Sequence, residues 1–211
     1  IEFADFAGFD VAREKPRLKP DRSLHDVIAD ADDDSLFAWV VTTYDTDWLL
    51  CDDGAGEVAD FLHLANNGML TVIHVKAAGA RTPGRRIAVT RFEQVVSQAE
   101  KNTRFLVDSE ALADRLAGPR TSGSAAWRDG QRVAASEFVD ALRTRRRSDR
   151  TEVVIVQPHL LRAAHDTARE AIDDGRPNRD SYSLMLLDDL LHSTRLTIAA
   201  RCDDFKVIGC E

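Results

Sequence analysis

Two glycine-containing turns separate three short apolar runs between residues 48 and 77, and this pattern constrains the fold more than any other feature of the chain. The runs are WLLCD at 48–52, EVADFLHL at 57–64 and MLTVIHV at 69–75. The turns are Gly54 to Gly56 and Asn66-Asn67-Gly68. Glycine and asparagine both accept the positive φ that tight hairpin turns require. The pattern therefore predicts three successive strands that form an antiparallel meander.

Three ionisable side chains stand out in these apolar runs. Asp60 lies in the second run, and His74 and Lys76 lie two residues apart at the end of the third. Side chains two apart on a strand share a face of the sheet. We therefore expect the imidazole and the ammonium to point the same way, with the Asp60 carboxylate facing them from the neighbouring strand. Such an arrangement would bring all three groups within reach of one divalent ion.

The residues GEVADFL at 56–62 and IHVK at 73–76 resemble the motif of the PD-(D/E)XK nuclease superfamily, which has the restriction-endonuclease-like fold. In that motif, Glu-hydrophobic-Asp-hydrophobic on one strand is followed by hydrophobic-Glu-hydrophobic-Lys on the next. This chain has one additional residue between Glu57 and Asp60, and His74 stands where an acid is usual. The resemblance covers residues 45–105, the motif-bearing core.

The resemblance implies a Mg²⁺- or Mn²⁺-dependent nuclease that acts on DNA. It implies that Asp60 binds the metal, together with His74 and the backbone carbonyl of Val75. Lys76 corresponds to the lysine that helps to activate the attacking water. Because imidazole is a poorer Mg²⁺ ligand than a carboxylate, His74 is also compatible with Mn²⁺ binding or with a role as general base.

Further residues complete the expected site. Glu57 or Asp53, close to the same hairpin, is a candidate for the second carboxylate, and Glu57 is counted with the catalytic residues. A helix is predicted over 90–105, after the third strand. In some branches of the superfamily this helix supplies a glutamine that points into the site, and Gln98 is its counterpart here.

The charge distribution suggests where nucleic acid would bind. The net charge of −8 argues against a protein that coats nucleic acid nonspecifically. Basic residues are nevertheless concentrated between 76 and 104 and at 143–147. The candidate DNA-binding residues are Arg85, Arg86, Lys101, Arg145 and Arg146. The alternative interpretation is that these runs are ordinary solvated surface.

The rest of the chain predicts an α/β fold: a restriction-endonuclease-like core in which helices flank a mixed central sheet containing the three-strand meander. We expect a single nuclease-like domain over 1–211, in which 106–211 complete the fold. Residues 1–22 are predicted to be irregular, and 36–44 favour a strand, with a buried helix left open. Helices are predicted at 23–29, 109–117, 134–147, 159–171 and 181–195. A loop is predicted at 118–130, and strands at 205–210 and at 152–157, where Pro158 is expected to end the strand.

Composition excludes several classes of protein. No apolar run is long enough to span a bilayer, and no signal-peptide pattern is present, so we expect no membrane partner. Three scattered cysteines suit neither a disulfide framework nor a four-ligand zinc site, which indicates a cytoplasmic protein. The chain begins at Ile1 rather than methionine, and we therefore expect a fragment whose other domains are its partners.

Three hypotheses follow. The first is an enzyme, a metal-dependent DNA endonuclease within a larger DNA-processing or anti-phage defence protein. The second is a catalytically inactive module of the same fold that binds nucleic acid or a partner protein, and His74 in place of the second acid favours it. The third is an unrelated α/β scaffold with no nucleic-acid role, which the acidic net charge favours.

Overall fold

The computed structural model describes residues 1–54, 56–118 and 123–211, which form an α/β structure built on one mixed sheet. The strands are β1 Glu2–Ala4, β2 Trp48–Cys51, β3 Phe61–Leu64, β4 Leu70–Val75, β5 Ala125–Arg128, β6 Gln131–Val133, β7 Thr151–Leu161 and β8 Asp204–Cys210. The helices are α1 Leu24–Val27, α2 Leu36–Thr43, α3 Thr90–Asn102, α4 Ser109–Ala117, α5 Ala135–Arg143, α6 Arg162–Asp173 and α7 Arg179–Ala199. A short 3₁₀ turn, Thr103–Phe105, follows α3.

The eight-stranded sheet has the order β1-β8-β7-β4-β3-β2-β5-β6. β2, β3 and β4 pair antiparallel, as the turn pattern predicts, and β4 then pairs parallel with β7, which pairs parallel with β8. The turn between β3 and β4 closes where Gly68 adopts a φ of +87°. The expected α/β class and the mixed sheet with its three-strand meander are therefore confirmed.

Side chains of the central strands alternate between two apolar layers. In β4, Leu70 and Val72 belong to the layer that packs against helices α3, α4, α5 and α7, which we call the first layer. Ile73 and Val75 belong to the layer that packs against α2, which we call the second layer. The central strands are thus buried on both faces, and ionisable groups that need water or a partner are best accommodated near the strand ends.

Residues 36–44, for which a strand is favoured by composition, form helix α2 instead. The helix begins where the Ser35 hydroxyl accepts a hydrogen bond from the Ala38 N–H at 3.3 Å. The backbone carbonyls of Arg13 and Glu14 accept from the N–H groups of Leu36 and Phe37. The first six side chains of the eight-residue α2 are all buried, so the sequence carries no helical alternation of apolar and polar residues that would reveal it.

Other element boundaries also differ from the predictions. The strand expected at 57–64 begins only at Phe61, because residues 57–60 belong to the connection from β2. The expected loop at 118–130 contains β5, while 119–122 lie outside the described residues. β1 lies in the N-terminal segment that is predicted to be irregular, and it pairs with β8.

Pro158 does not end the strand that contains it. β7 continues to Leu161, and its register against β8 shifts between Val156 and Leu161. Proline lacks an N–H group and is accepted in strands at such irregularities. The helix expected to begin at His159 therefore begins at Arg162.

Arg85 ties the loop after β4 to this irregular part of β7. It is buried, with 7% of its surface exposed. Its guanidinium donates to the backbone carbonyls of His159 at 3.3 Å, Pro158 at 2.7 Å, Ala80 at 3.2 Å and Thr82 at 3.1 Å. A guanidinium engaged in this way stabilises the fold. Arg85 is therefore not available to DNA, contrary to the expectation from the sequence.

Among the described residues, no helix combines the length and the apolar character needed to cross a bilayer.

We predict that Arg85→Lys lowers the free energy of unfolding by about 2 kcal/mol or more, because an ammonium cannot satisfy carbonyls arranged around a planar guanidinium. The measurement is urea unfolding followed by circular dichroism. Arg86→Lys, at the exposed neighbouring position, is the matched control and is expected to change stability by less than about 0.5 kcal/mol. Equal stability of the two variants would contradict the structural role of Arg85.

Candidate metal and phosphate site

Three carboxylates converge where the end of β2 and the start of β3 meet. Asp53, Glu57 and Asp60 each place a carboxylate oxygen within 4.8 Å of the others, and we call these three residues the acidic group. Asp53 and Asp60 are buried, and Glu57 is partly exposed. The Asp52 N–H donates to the Asp60 carbonyl at 3.0 Å, which continues the β2–β3 pairing to this edge.

Local hydrogen bonds fold the connection between β2 and β3 so that its acids converge. The Glu57 carboxylate accepts from the Gly54 N–H at 2.9 Å, and the Glu57 N–H donates to the Gly54 carbonyl at 3.1 Å. The Asp52 carboxylate accepts from the Val58 N–H at 2.9 Å. Gly56 adopts a φ of +81°, which favours glycine. The middle residue of the predicted turn, Ala55, lies outside the described residues.

Arg115 on α4 supports this connection from outside. Its guanidinium donates to the Gly56 carbonyl at 2.5 Å. It also lies over the Phe105 ring, with 4.1 Å between the guanidinium carbon and the ring centroid. Packing on the ring fixes the arginine, and the arginine in turn restrains the turn that carries Glu57.

The Asp60 carboxyl is buried under conditions that oppose its ionisation. Burial raises the pKa of this carboxyl well above its usual range. A hydrogen bond from the Val75 N–H at 2.7 Å favours the carboxylate, but the charges of Glu57, Asp53 and Glu14 raise the pKa further. The site therefore requires either a proton on Asp60 or a cation beside it.

Glu57 experiences the same environment less strongly. Burial raises the pKa of its carboxyl, the hydrogen bond from Gly54 lowers it, and the neighbouring Asp53 charge raises it again. Carboxylates that crowd together in this way repel one another unless a positive charge lies between them.

Two lysines, Lys76 and Lys15, supply positive charge at the site. Lys76 was expected to face Asp60, but its ammonium lies 2.9 Å from a Glu14 carboxylate oxygen. The Lys15 ammonium lies 2.7 Å from an Asp53 carboxylate oxygen. Although burial lowers the pKa of Lys15, the hydrogen bond to Asp53 and its charge raise the pKa above the usual value.

His74 is not among the three acids whose ligand atoms lie within 4.8 Å of one another, although the β3–β4 register, extended one pair beyond Phe61 and Ile73, places it opposite Asp60. By strand alternation His74 shares the face of Leu70 and Val72, which belong to the first layer. Only 3% of its surface is exposed, and its Nε2 atom has no hydrogen-bond partner among the residues that the structure describes. Burial lowers the pKa of the imidazole to about 4, so the ring is neutral at physiological pH. The shared surface expected for Asp60, His74 and Lys76 stays a prediction, and the carboxylates close enough to share one ion are those of the acidic group.

Val75 and Gln98 occupy different surroundings. Val75 lies beside the acidic group and contributes its N–H to Asp60. Gln98 is partly exposed on α3, the helix whose buried stripe of Phe92, Val95, Val96 and Ala99 packs in the first layer. The helix predicted after the third strand is thus present, and Gln98 lies on it.

The predicted DNA-binding residues are spread over the molecule. Arg86 follows β4, as does Arg85, and pairs with Asp180 at 3.0 Å while more than half of its side chain is exposed. Lys101 is exposed on α3.

Arg145 and Arg146 lie near the other end of β4. The Arg145 guanidinium donates to the Gly68 carbonyl at 2.9 Å and to the carbonyls of Asp149 and Arg150 at 2.6 and 2.8 Å. Gly68 precedes β4, whereas Val75 ends it, so about 20 Å of strand separates these arginines from the acidic group. One phosphate cannot contact both places.

Glu14 and Lys15 are the site residues that sequence reasoning missed. Both belong to the segment 1–22, whose Lys-Pro pairs at 15–16 and 19–20 indicate only irregular structure. Their approach to Lys76 and Asp53 depends on contacts between residues 38 or more positions apart, and no local pattern signals such contacts.

The donor set of the acidic group suits a hard divalent cation. Carboxylate oxygens are the preferred ligands of Mg²⁺ and Mn²⁺. Burial and mutual repulsion leave the three acids short of positive charge, which a divalent ion would supply. Asp53, Glu57 and Asp60 therefore fit such an ion, and His74 does not belong to the set.

Comparison of the chain with protein-family models, with curated proteins and with solved structures found no match.

We predict that Asp60→Asn stabilises the metal-free protein at neutral pH by on the order of 1 kcal/mol, since an amide accepts the Val75 hydrogen bond without a buried charge. An acid whose pKa is raised by folding contributes stability that declines as pH rises from about 4, the ordinary value for aspartate. The gain should therefore grow with pH when wild type and variant are compared by urea unfolding in EDTA. Asp32→Asn, which alters an exposed acid, should give no gain. A destabilised Asp60→Asn variant would contradict the assignment.

We predict the opposite pH dependence for His74. Because folding lowers the pKa of this imidazole to about 4, its contribution is intact above pH 6.5 and is lost as pH falls towards 4. The loss amounts to about 3 kcal/mol in total. Replacement by leucine should remove this component, so the variant gains stability relative to wild type as pH falls. A constant difference between the two unfolding free energies from pH 7 to pH 4 would show that His74 is not buried as described.

Proposed function

We propose that the protein is a divalent-metal-dependent DNA endonuclease with a restriction-endonuclease-like core. The observation that carries the proposal is the buried acidic group of Asp53, Glu57 and Asp60, flanked by the ammonium groups of Lys15 and Lys76. Metal-dependent phosphodiester hydrolysis requires carboxylates that bind a divalent cation and positively charged groups that stabilise the phosphate. The site offers both.

The order of elements supports the proposed core. Helix α2 precedes the meander β2–β4, helix α3 follows it, and β7 then joins the sheet beside β4 in parallel orientation. This is the order of helix, three strands, helix and strand that the resemblance implies. The helix α4, the hairpin β5–β6 and helix α5 are inserted between α3 and β7.

The motif residues lie close together in this arrangement. Asp60 immediately precedes β3, and Lys76 immediately follows β4, the neighbouring antiparallel strand. The hydrogen bond from the Val75 N–H to the Asp60 carboxylate joins the two motif segments directly. We also propose the Val75 carbonyl oxygen as an additional ligand of the metal.

In the proposed enzyme, Asp53, Glu57 and Asp60 would hold Mg²⁺ or Mn²⁺. The bound ion would neutralise charge on the phosphoryl group and lower the pKa of a water molecule. The buried Asp60 carboxyl would give up its proton when the ion binds, because the positive charge of the ion stabilises the carboxylate that burial disfavours.

Lys76 would act on the substrate side of the acidic group. Glu14 holds its ammonium at 2.9 Å, so the lysine is oriented before a phosphate arrives. From this position the ammonium would orient the attacking water and stabilise the negative charge that develops on the phosphate. Glu14 would serve as a positioning residue.

Arg86 and Lys101 are our proposed contacts to the DNA backbone. Arg86 lies in the loop that follows β4, and hence at the same end of that strand as Lys76. Its exposed guanidinium is paired with the partly exposed Asp180, an interaction that a phosphate can replace. Gln98 on α3 stays a candidate for the glutamine of the family.

A second candidate is a module of the same fold that binds nucleic acid or a partner protein without cleaving it. The observation that favours it is His74, which occupies the position of the usual second acid and is not among the residues that could share one ion. In this case the acidic group would lack the arrangement needed for catalysis.

We predict that the protein nicks supercoiled plasmid DNA in Mg²⁺ or Mn²⁺ and not in EDTA, and that Asp60→Asn and Lys76→Met each reduce the rate by about 100-fold or more. Product formation on agarose gels under single-turnover conditions gives the rates. Asp32→Asn and Lys19→Met are the matched controls, since these residues form an ion pair on the exposed surface. Both controls should retain the wild-type rate.

Two outcomes would reject the nuclease. Cleavage that is equal in all variants would come from a contaminant. DNA binding without cleavage in either metal would establish the second candidate instead.

A further inference from the structure

The N-terminal segment is fixed against helix α2 by its backbone. The Arg13 carbonyl accepts from the Leu36 N–H at 2.9 Å, and the Glu14 carbonyl accepts from the Phe37 N–H at 3.1 Å. These N–H groups belong to the first turn of α2 and have no partner within the helix. The segment therefore satisfies the start of the helix, and in doing so it sets where Glu14 and Lys15 project.

Consecutive residues of this segment contact the acids and the motif lysine. The Glu14 carboxylate pairs with Lys76 at 2.9 Å and accepts from the Ala77 N–H at 3.3 Å. The Lys15 ammonium lies 5.7 Å from the centroid of the Phe37 ring and donates to the Asp53 carboxylate at 2.7 Å. The segment thus adds one acid and one ammonium to the site.

Lys15 is the ammonium that contacts the acidic group itself. Lys76 is bound to Glu14, whereas Lys15 is bound to Asp53, one of the three acids that fit a divalent ion. Its positive charge therefore lies beside the crowded carboxylates, where it reduces their mutual repulsion. About two fifths of the Lys15 side chain is exposed, so the ammonium can move towards solvent when a cation takes its place.

We propose that Lys15 is the resident counter-ion of the acidic group: it neutralises Asp53 in the metal-free protein and competes with the divalent ion for that carboxylate. This inference rests on the metal-binding part of the proposed function, and it adds a residue outside the motif. Lys15 acts as a positioning residue that sets the affinity of the site for metal.

The physical reason is charge repulsion. An ammonium and a divalent cation bound to one carboxylate lie within a few ångströms of each other, and their repulsion at a partly buried site is substantial. Metal binding must therefore displace Lys15 or overcome its charge. Removal of that charge strengthens metal binding and, in the absence of metal, leaves the acids without compensation.

The test is Mn²⁺ binding, measured by isothermal titration calorimetry on wild type, Lys15→Met, Lys15→Arg and Lys19→Met. Methionine supplies an unbranched side chain of similar length without the charge, and arginine retains the charge. Lys19 lies in the same segment but pairs with Asp30 and Asp32, so it is the matched control. We expect Lys15→Met to bind Mn²⁺ about tenfold or more tightly than wild type, while the other two variants bind within about twofold of wild type.

Thermal unfolding supplies a second readout. Lys15→Met should unfold at a lower temperature than wild type in EDTA, and saturating Mn²⁺ should raise its unfolding temperature more than that of wild type. A cooperative transition in EDTA shows that the variant is folded. Unchanged or weaker Mn²⁺ binding by folded Lys15→Met, or binding by neither protein, would overturn the inference.

The outcome is separable from that of the proposed nuclease. If Lys15→Met binds Mn²⁺ more tightly and no variant cleaves DNA, the counter-ion role stands and the nuclease fails. If wild type cleaves DNA and Lys15→Met shows wild-type affinity for Mn²⁺, the nuclease stands and the counter-ion role fails.

Discussion

The need to compensate buried negative charge at one end of the meander connects most features of this structure. Carboxylates removed from water cost several kcal/mol each unless a proton, an ammonium or a metal ion accompanies them. Asp53 and Asp60 are buried together, and the pKa of Asp60 is raised as a consequence. A natural chain retains such an arrangement at a cost to stability, and strained or costly groups of this kind concentrate at functional sites.

The surrounding fold holds this charge in place through a few polar contacts at the strand ends. Arg115 restrains the turn at Gly56, and the Val75 N–H binds Asp60. The strands themselves contribute apolar packing on both faces, which positions their ends. Helix α2 has a double role, because it fills the second layer and anchors, at its first turn, the segment that carries Glu14 and Lys15.

Local signals in the sequence predicted the elements that local interactions determine. The Asn66-Asn67-Gly68 turn, the strand at 70–75 and helix α4 follow from turn chemistry and apolar patterning. Helix α2 was missed as the favoured assignment because its continuous run of buried apolar residues shows no periodicity. β7 continues past Pro158 because a register shift accommodates it.

For the candidate site, the family resemblance and the nearby acids pointed to Asp60, Glu57 and Asp53, which the fold brings together. Glu14 and Lys15 are joined to it only through tertiary contacts, which a single sequence does not encode in any local pattern. The two-residue spacing of His74 and Lys76 likewise gave no sign of the ion pair between Lys76 and Glu14, which forms just after β4 ends at Val75.

The most direct test is a crystal structure of the protein grown with Mn²⁺, with an anomalous difference map calculated from data collected near the manganese absorption edge. A divalent-metal site at the acidic group predicts one strong peak at coordination distance from carboxylate oxygens of Asp60 and of Asp53 or Glu57, with the Lys15 ammonium withdrawn from Asp53. A map without a peak at these carboxylates, with Lys15 still bound to Asp53 at saturating Mn²⁺, would contradict it.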